Sequence, residues 1–281
     1  MKVGMNLLLW TDQPDPSKHL NLLSSIKNWG FDGVELAVDN MDAEDASAFG
    51  KILKELGLGS TGIAALDAAS ADPASSDARL RQNALDVLKR AIINTQLIGA
   101  EVLCGPLFQG LGRFSGQGPQ PEEWGYAVET LRAAGEFAAK LGIKLALEPI
   151  NRFEMYLVNT LEDGVRFVEE IGLPNVGLLA DTHHGNIEEL NVPEAWRRAA
   201  KHIVHVHISE NNRGVPGSGH AVPKEIFDVL KEVDYEGWLT IEAFGQQVPG
   251  LISRLHLWRD YSEHPDDAAR LGVQYIRSCL V

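Results

Sequence analysis

Short apolar runs alternate with longer amphipathic ones along the whole chain, and the alternation repeats eight times. Strands are expected at 3–9, 33–37, 60–65, 101–104, 143–148, 176–181, 203–208 and 238–242. Helices are expected at about 18–29, 43–56, 77–97, 121–141, 160–171, 193–200, 223–232 and 265–279. A strand that returns through a helix pairs parallel to the one before it, so the pattern predicts a parallel sheet. Eight such units in 281 residues predict a single α/β domain over 1–281, a closed (β/α)₈ TIM barrel. A doubly wound open sheet is the competing architecture.

Glycine punctuates the pattern. NWGFDGVE, KELGLGSTGI, QLIGAEVL and KLGIKLAL each end an amphipathic run with Gly and resume with an apolar strand, as left-handed helix caps do. The glycine-rich stretch 105–120 is the longest irregular segment and follows a strand. In a barrel it lies on the C-terminal face, where active sites form.

Strand ends carry the chemistry. The runs LALE, GLLAD, IVHVHI and LTIE bring Glu148, Asp181, His207 and Glu242 to the ends of four consecutive strands, at spacings of 33, 26 and 35 residues. A carboxylate buried at a strand end is costly unless it is paired or coordinated. In a barrel the four converge on one mouth and form an oxygen-rich site with one nitrogen. That set suits Mn²⁺, and also Mg²⁺, Co²⁺ or Zn²⁺. Glu154, His183, His184 and Arg213 follow in the adjacent loops and are placed to line the same pocket. Glu35 lies in the second strand, and His205 falls one layer below His207.

Charge and composition remove other classes. The net charge is 25 − 39 = −14, which opposes nucleic acid and anionic membranes as partners. No run approaches the ~20 apolar residues of a membrane-spanning helix, and the N-terminal apolar run lacks a signal-peptide cleavage site. Cys104 and Cys279 are too few for a disulfide framework and fit unpaired thiols in the cytoplasm. No glycine-rich phosphate loop follows the first strand, so a nucleotide is not indicated.

The segments LEPINRFE, ADTHHGNIEE, VHVHISENNRGVPG and IEAFGQQV resemble those of the ketose 3-epimerases, the D-tagatose and D-psicose 3-epimerase group of the xylose-isomerase-like TIM barrels. The resemblance runs nearly end to end. It implies one divalent cation per chain, usually Mn²⁺, held by Glu148, Asp181, His207 and Glu242, with Glu148 and Glu242 doubling as the acid/base pair. It implies that Glu154, His184 and Arg213 contact the O1–O3 end of the sugar. Trp10, Leu111 and Phe244 take positions beside the rest of the substrate. A homodimer or homotetramer in the cytoplasm is expected. The reaction would be C3 epimerisation of free ketoses through an enediolate stabilised by the cation.

The chain departs from that pattern in three places. His183 stands where such enzymes often have Phe, Leu111 where several have an aromatic, and IEAF replaces the more usual Glu-Pro-Phe. Related barrel chemistries remain as alternatives: other sugar isomerases, sugar-phosphate epimerases and hydroxypyruvate-type isomerases. An endonuclease IV-type nuclease is disfavoured, because strands three and four end in IAAL and VLCG without the extra histidines of a zinc cluster.

Overall fold

The computed structural model describes residues 1–281. Eight strands close a parallel barrel: β1 (Lys2–Asn6), β2 (Gly33–Ala37), β3 (Gly59–Ile63), β4 (Val102–Gly105), β5 (Lys144–Leu147), β6 (Val176–Asp181), β7 (Ile203–Ile208) and β8 (Trp238–Ile241). Closure comes from β1 pairing with β8, Lys2 opposite Trp238 and Met5 opposite Ile241. The open-sheet alternative is therefore excluded.

Helices α1 (Leu20–Asn28), α2 (Ala43–Leu56), α3 (Ala78–Leu97), α4 (Pro121–Lys140) and α5 (Leu161–Ile171) follow the first five strands. The short α6 (Thr182–Glu188) and α7 (Val192–Ala199) follow β6, and α8 (Lys224–Glu232) follows β7. After β8 come a single turn, α9 (Pro249–Ile252), and the long α10 (Pro265–Leu280). Gly30, Gly57, Gly99 and Gly142, the four punctuating glycines, all have positive φ, between 64° and 96°. A side chain there would be strained.

One continuous apolar cluster fills the space between sheet and helices, and a small one, Ile63, Val102, Cys104, Ala146 and Leu179, fills the barrel interior. Trp238 plugs the bottom. A Cβ on Gly33 or Gly59 would approach its indole to 2.5 or 2.8 Å, so the two bare backbones make room for the ring. Between β6 and β7 the register slips at Leu178/Leu179, which leaves Asp181 level with His207. Bulges of this kind re-aim side chains beside active sites.

Three features depart from the sequence expectation. The first strand stops at Asn6, because the Asn6 side chain accepts the Leu8 amide at 2.8 Å and starts a 3₁₀ turn, Leu7–Leu9. Helical structure after β6 begins at Thr182, because the Asp181 carboxylate caps the His184 amide at 2.8 Å. The stretch 105–120 is partly ordered by pairing: Gly110–Leu111 lies parallel to Leu66–Asp67, and buried Asp72 accepts the Gly110 amide and pairs with Arg113.

Candidate active site

The last four strands deliver their ionisable residues to one point. Glu148 directly follows β5, Asp181 ends β6, His207 is the penultimate residue of β7 and Glu242 directly follows β8. All four are buried, and one donor atom from each lies within 4.8 Å of the others. His207 Nδ1 is 3.4 Å from Glu148 Oε1, 3.6 Å from Glu242 Oε1 and 3.8 Å from Asp181 Oδ2.

Three of these atoms, Glu148 Oε1, Asp181 Oδ2 and His207 Nδ1, are buried and have no hydrogen-bond partner. Orphaned buried groups are rare because each forfeits its hydration. Three pointing at one another, two of them on acidic side chains, fit a cation placed among them. Three oxygens and one imidazole suit a hard to borderline divalent ion.

Electrostatics inside the protein agree. Burial, together with the neighbouring Glu242 and Asp181 carboxylates, pushes Glu148 up to about 8. Burial with Glu242 nearby raises Asp181 to about 6, despite Arg213. The Glu35 and Glu242 carboxylates hold His207 well above its ordinary value against the opposing effect of burial. The donor set therefore draws positive charge, as protons or as a metal ion.

Arg213 borders this cluster. Its Nη1 donates to Glu242 Oε2 at 2.5 Å and to Ser209 Oγ at 2.9 Å, and lies 3.6 Å from Asp181 Oδ2. The guanidinium lies 5.1 Å from the Phe244 ring centroid, and the Phe244 amide donates to the Arg213 carbonyl at 2.8 Å. Arg213 has φ 61°, a strained left-handed conformation held by the loop around it.

His184 is buried beside Arg213, with Nε2 3.0 Å from Arg213 Nη2 and 3.8 Å from Glu148 Oε1. Its Nδ1 accepts the Asn151 amide at 3.1 Å. Burial and the Arg213 charge keep its pKa well below the ordinary histidine range. Glu154 is half-buried and accepts from Asn151 Nδ2 at 2.7 Å. His183 does not line the cavity, and its Nδ1 lies 3.1 Å from the Glu210 carbonyl.

Above the cluster opens a cavity of about 620 Å³. Glu148, Glu154, His184, Arg213, Glu242, Leu111 and Phe244 all line it. Trp10 does not. Its indole stacks on Trp29 at 6.3 Å and donates to Asp266 at 3.0 Å, because the 3₁₀ turn after Asn6 carries it past the mouth. Leu8, from the same turn, lines the wall in its place. In the 255–267 segment, Leu257 is buried in a cluster with Phe244, Val248 and Leu251, whereas Trp258 is exposed.

A polar layer beneath the four donors was only partly visible in the sequence. The Glu35 carboxylate is fully buried and meets His207 Nε2 at 2.8 Å, His205 Nε2 at 2.8 Å and Cys104 Sγ at 3.2 Å. Asn6 Nδ2 donates to Glu35 at 3.0 Å and reaches Glu242 Oε1 at 3.4 Å. An asparagine closing an apolar first strand was the available signal for Asn6.

A parallel eightfold barrel with a buried carboxylate–histidine cluster at its C-terminal mouth, open to a cavity of about 620 Å³, defines a barrel enzyme with a candidate metal centre. Comparison with known proteins sharpens the class. Residues 23–279 match the family model described as xylose isomerase-like TIM barrel. A probable ketose 3-epimerase of Synechocystis sp. is 30% identical over 99% of this chain and 96% of its own length. The D-psicose 3-epimerase of Agrobacterium fabrum is 31% identical over 95% and 93%. The crystal structure of a Methylomonas sp. D-allulose 3-epimerase in complex with D-allulose superposes with a TM-score of 0.92 at 28% identity, covering 99% of this chain and 96% of that one. The chain belongs to the ketose 3-epimerase family of the xylose isomerase-like TIM barrels, and its enzyme class is isomerase, a carbohydrate epimerase.

Proposed function

We propose that the protein interconverts free ketoses epimeric at C3, of the D-tagatose, D-psicose, D-fructose and L-ribulose type, by removing and returning the C3 proton. The observation that carries this reading is the approach of two carboxylates, Glu148 and Glu242, to one point from strands that are separated by β6 and β7. Epimerisation needs a proton acceptor on one face of a carbon and a donor on the other. Glu242 is engaged by Arg213 and Asn6, whereas Glu148 Oε1 has no donor from the protein. Their environments differ, as unlike acid/base roles require.

Glu148, Asp181, His207 and Glu242 would hold one divalent cation, Mn²⁺ by preference with Co²⁺ or Mg²⁺ as substitutes. When bound, it supplies Lewis acidity that stabilises the negative charge left on the sugar. Arg213, His184 and Glu154 grip the polar O1–O3 end and present C3 to the carboxylates. Leu8, Leu111 and Phe244 face the C4–C6 end and exclude water.

A phosphorylated substrate fits this cavity poorly. Arg213 is already paired with Glu242. Lys18 and Arg254 are the other cations of the wall, against five aspartates, Asp12, Asp15, Asp39, Asp42 and Asp45, and Lys18 pairs with Asp15 at 2.7 Å. The two buried free thiols fit a reducing cytoplasm, and assembly into a homodimer or homotetramer is expected.

The test is a panel of free ketoses and ketose phosphates incubated with the Mn²⁺-loaded protein. C3 epimers of the free sugars should form and should disappear with a chelator. Turnover confined to the phosphates, or undiminished in metal-free protein, contradicts the reading.

A further inference from the structure

We infer that Glu35 is a positioning residue that makes Nδ1 the cation-facing nitrogen of His207. The inference rests on the metal reading above and adds a residue outside the four donors. Glu35 lies in β2, level with Asn6 of β1 and Thr61 of β3. Oε1 accepts from Asn6 Nδ2 at 3.0 Å and meets His207 Nε2 at 2.8 Å. Oε2 accepts from Thr61 Oγ1 at 2.8 Å, meets His205 Nε2 at 2.8 Å and takes the Cys104 thiol at 3.2 Å. Asn6 donates to one of the two fully buried oxygens and Thr61 and Cys104 to the other, so both oxygens already accept from the protein before either imidazole is counted, an arrangement that favours the acceptor-only carboxylate.

The consequence for His207 follows from the two-nitrogen arithmetic of imidazole. A neutral ring carries one N–H and one lone pair. With Nε2 against a carboxylate at 2.8 Å, the hydrogen belongs on Nε2 and the lone pair on Nδ1. That is the nitrogen with no hydrogen-bond partner, aimed at Glu148, Asp181 and Glu242. The reverse tautomer would set a lone pair against the Glu35 carboxylate and point an N–H at the space between the donors. A carboxylate behind a ligating imidazole also raises its basicity toward the metal.

Glutamine at 35 keeps the size but turns one acceptor end into an amide donor. That donor faces either the N–H of His205 or that of His207, and one ring must turn over or lose its partner. Replacing Thr61 by valine removes a donor from Oε2 and leaves the Oε1–His207 contact in place.

Two measurements test the inference. In Zn²⁺-loaded, ¹⁵N-histidine-labelled wild type, two-bond ¹H–¹⁵N correlations report which His207 nitrogen carries hydrogen. Mn²⁺ affinity is measured by chelator competition in wild type, Glu35→Gln and Thr61→Val, with the fold of each checked by circular dichroism. We expect hydrogen on Nε2 in the wild type. Glu35→Gln should bind Mn²⁺ about 10–100-fold more weakly, with Thr61→Val close to wild type. Hydrogen on Nδ1 in the loaded wild type overturns the inference whether or not Glu35→Gln folds. So does a folded Glu35→Gln with wild-type affinity. Wild type that binds neither metal overturns the metal reading itself, and the inference with it.

Discussion

The two halves of the barrel mouth are built for different tasks. Strands β5 to β8 end in Glu148, Asp181, His207 and Glu242. Strands β1 to β4 lead into Leu8, Ala37, Ile63, Ala64 and Pro106 on the cavity wall and keep Glu35 below the floor, while the segments after β1 and β2 add Asp12, Asp15, Lys18, Asp39, Asp42 and Asp45 to the same wall. One half therefore concentrates ionisable strand ends at the proposed site of proton transfer, and the other lines the wall at its strand ends with apolar residues and carries its charges in the segments beyond them. An ionic contact acts on every substrate that shares the reacting end. An apolar contact discriminates only weakly, by ~1–3 kcal/mol per group.

The largest effects belong to the charged half. Glu148→Gln and Glu242→Gln should each lower kcat by roughly a thousandfold or more in a protein that still folds, checked by single-turnover assay and circular dichroism. Arg213→Ala should lower kcat/KM by about a hundredfold, and by the same factor for every free ketose in a panel. Unequal losses across the panel would break the division between the halves.

Residues facing the far end of the sugar should act selectively. Phe244→Ala and Leu111→Phe should reorder preferences among ketohexoses and ketopentoses, by about 10–200-fold at most, with C3 regiochemistry kept. Product analysis on each sugar reads this directly.

The smallest effect is a pH dependence of metal binding. With Glu148 raised to about 8 and Asp181 to about 6, metal-free protein holds protons there that a cation must displace. Fewer remain as pH rises, so affinity rises with pH. The gain in Tm on adding Mn²⁺ should grow steadily from about pH 5.5 to about pH 8. A constant gain would contradict the placement of the metal on these carboxylates.

The barrel was legible because its repeat is physical. Each β-then-α unit shows a run that is buried on both faces followed by an amphipathic period, and β2, β6 and β7 lie where the pattern puts them. The four strand-end donors were legible because an ionisable residue closing an apolar strand needs a reason to be buried. Local side-chain chemistry was harder to read. Asn6 ends β1 early by capping a turn, and Asp181 starts α6 by capping His184, each through a single hydrogen bond that has no periodic signature. The displaced Trp10 follows from the first of these. The hub at Glu35 gathers five strands, β1, β2, β3, β4 and β7, on one carboxylate, and only closure of the barrel brings them together.

The central claim is that a proton leaves C3 and returns to it through the Glu148–Glu242 pair, and its most direct test is isotopic. The Mn²⁺-loaded protein is incubated with a single free ketose in D₂O, and the product is examined by NMR and mass spectrometry. The account predicts one deuterium, located at C3 of the epimer, and its loss together with turnover in Glu148→Gln and Glu242→Gln. Epimer that forms at full rate with only protium at C3 would contradict it.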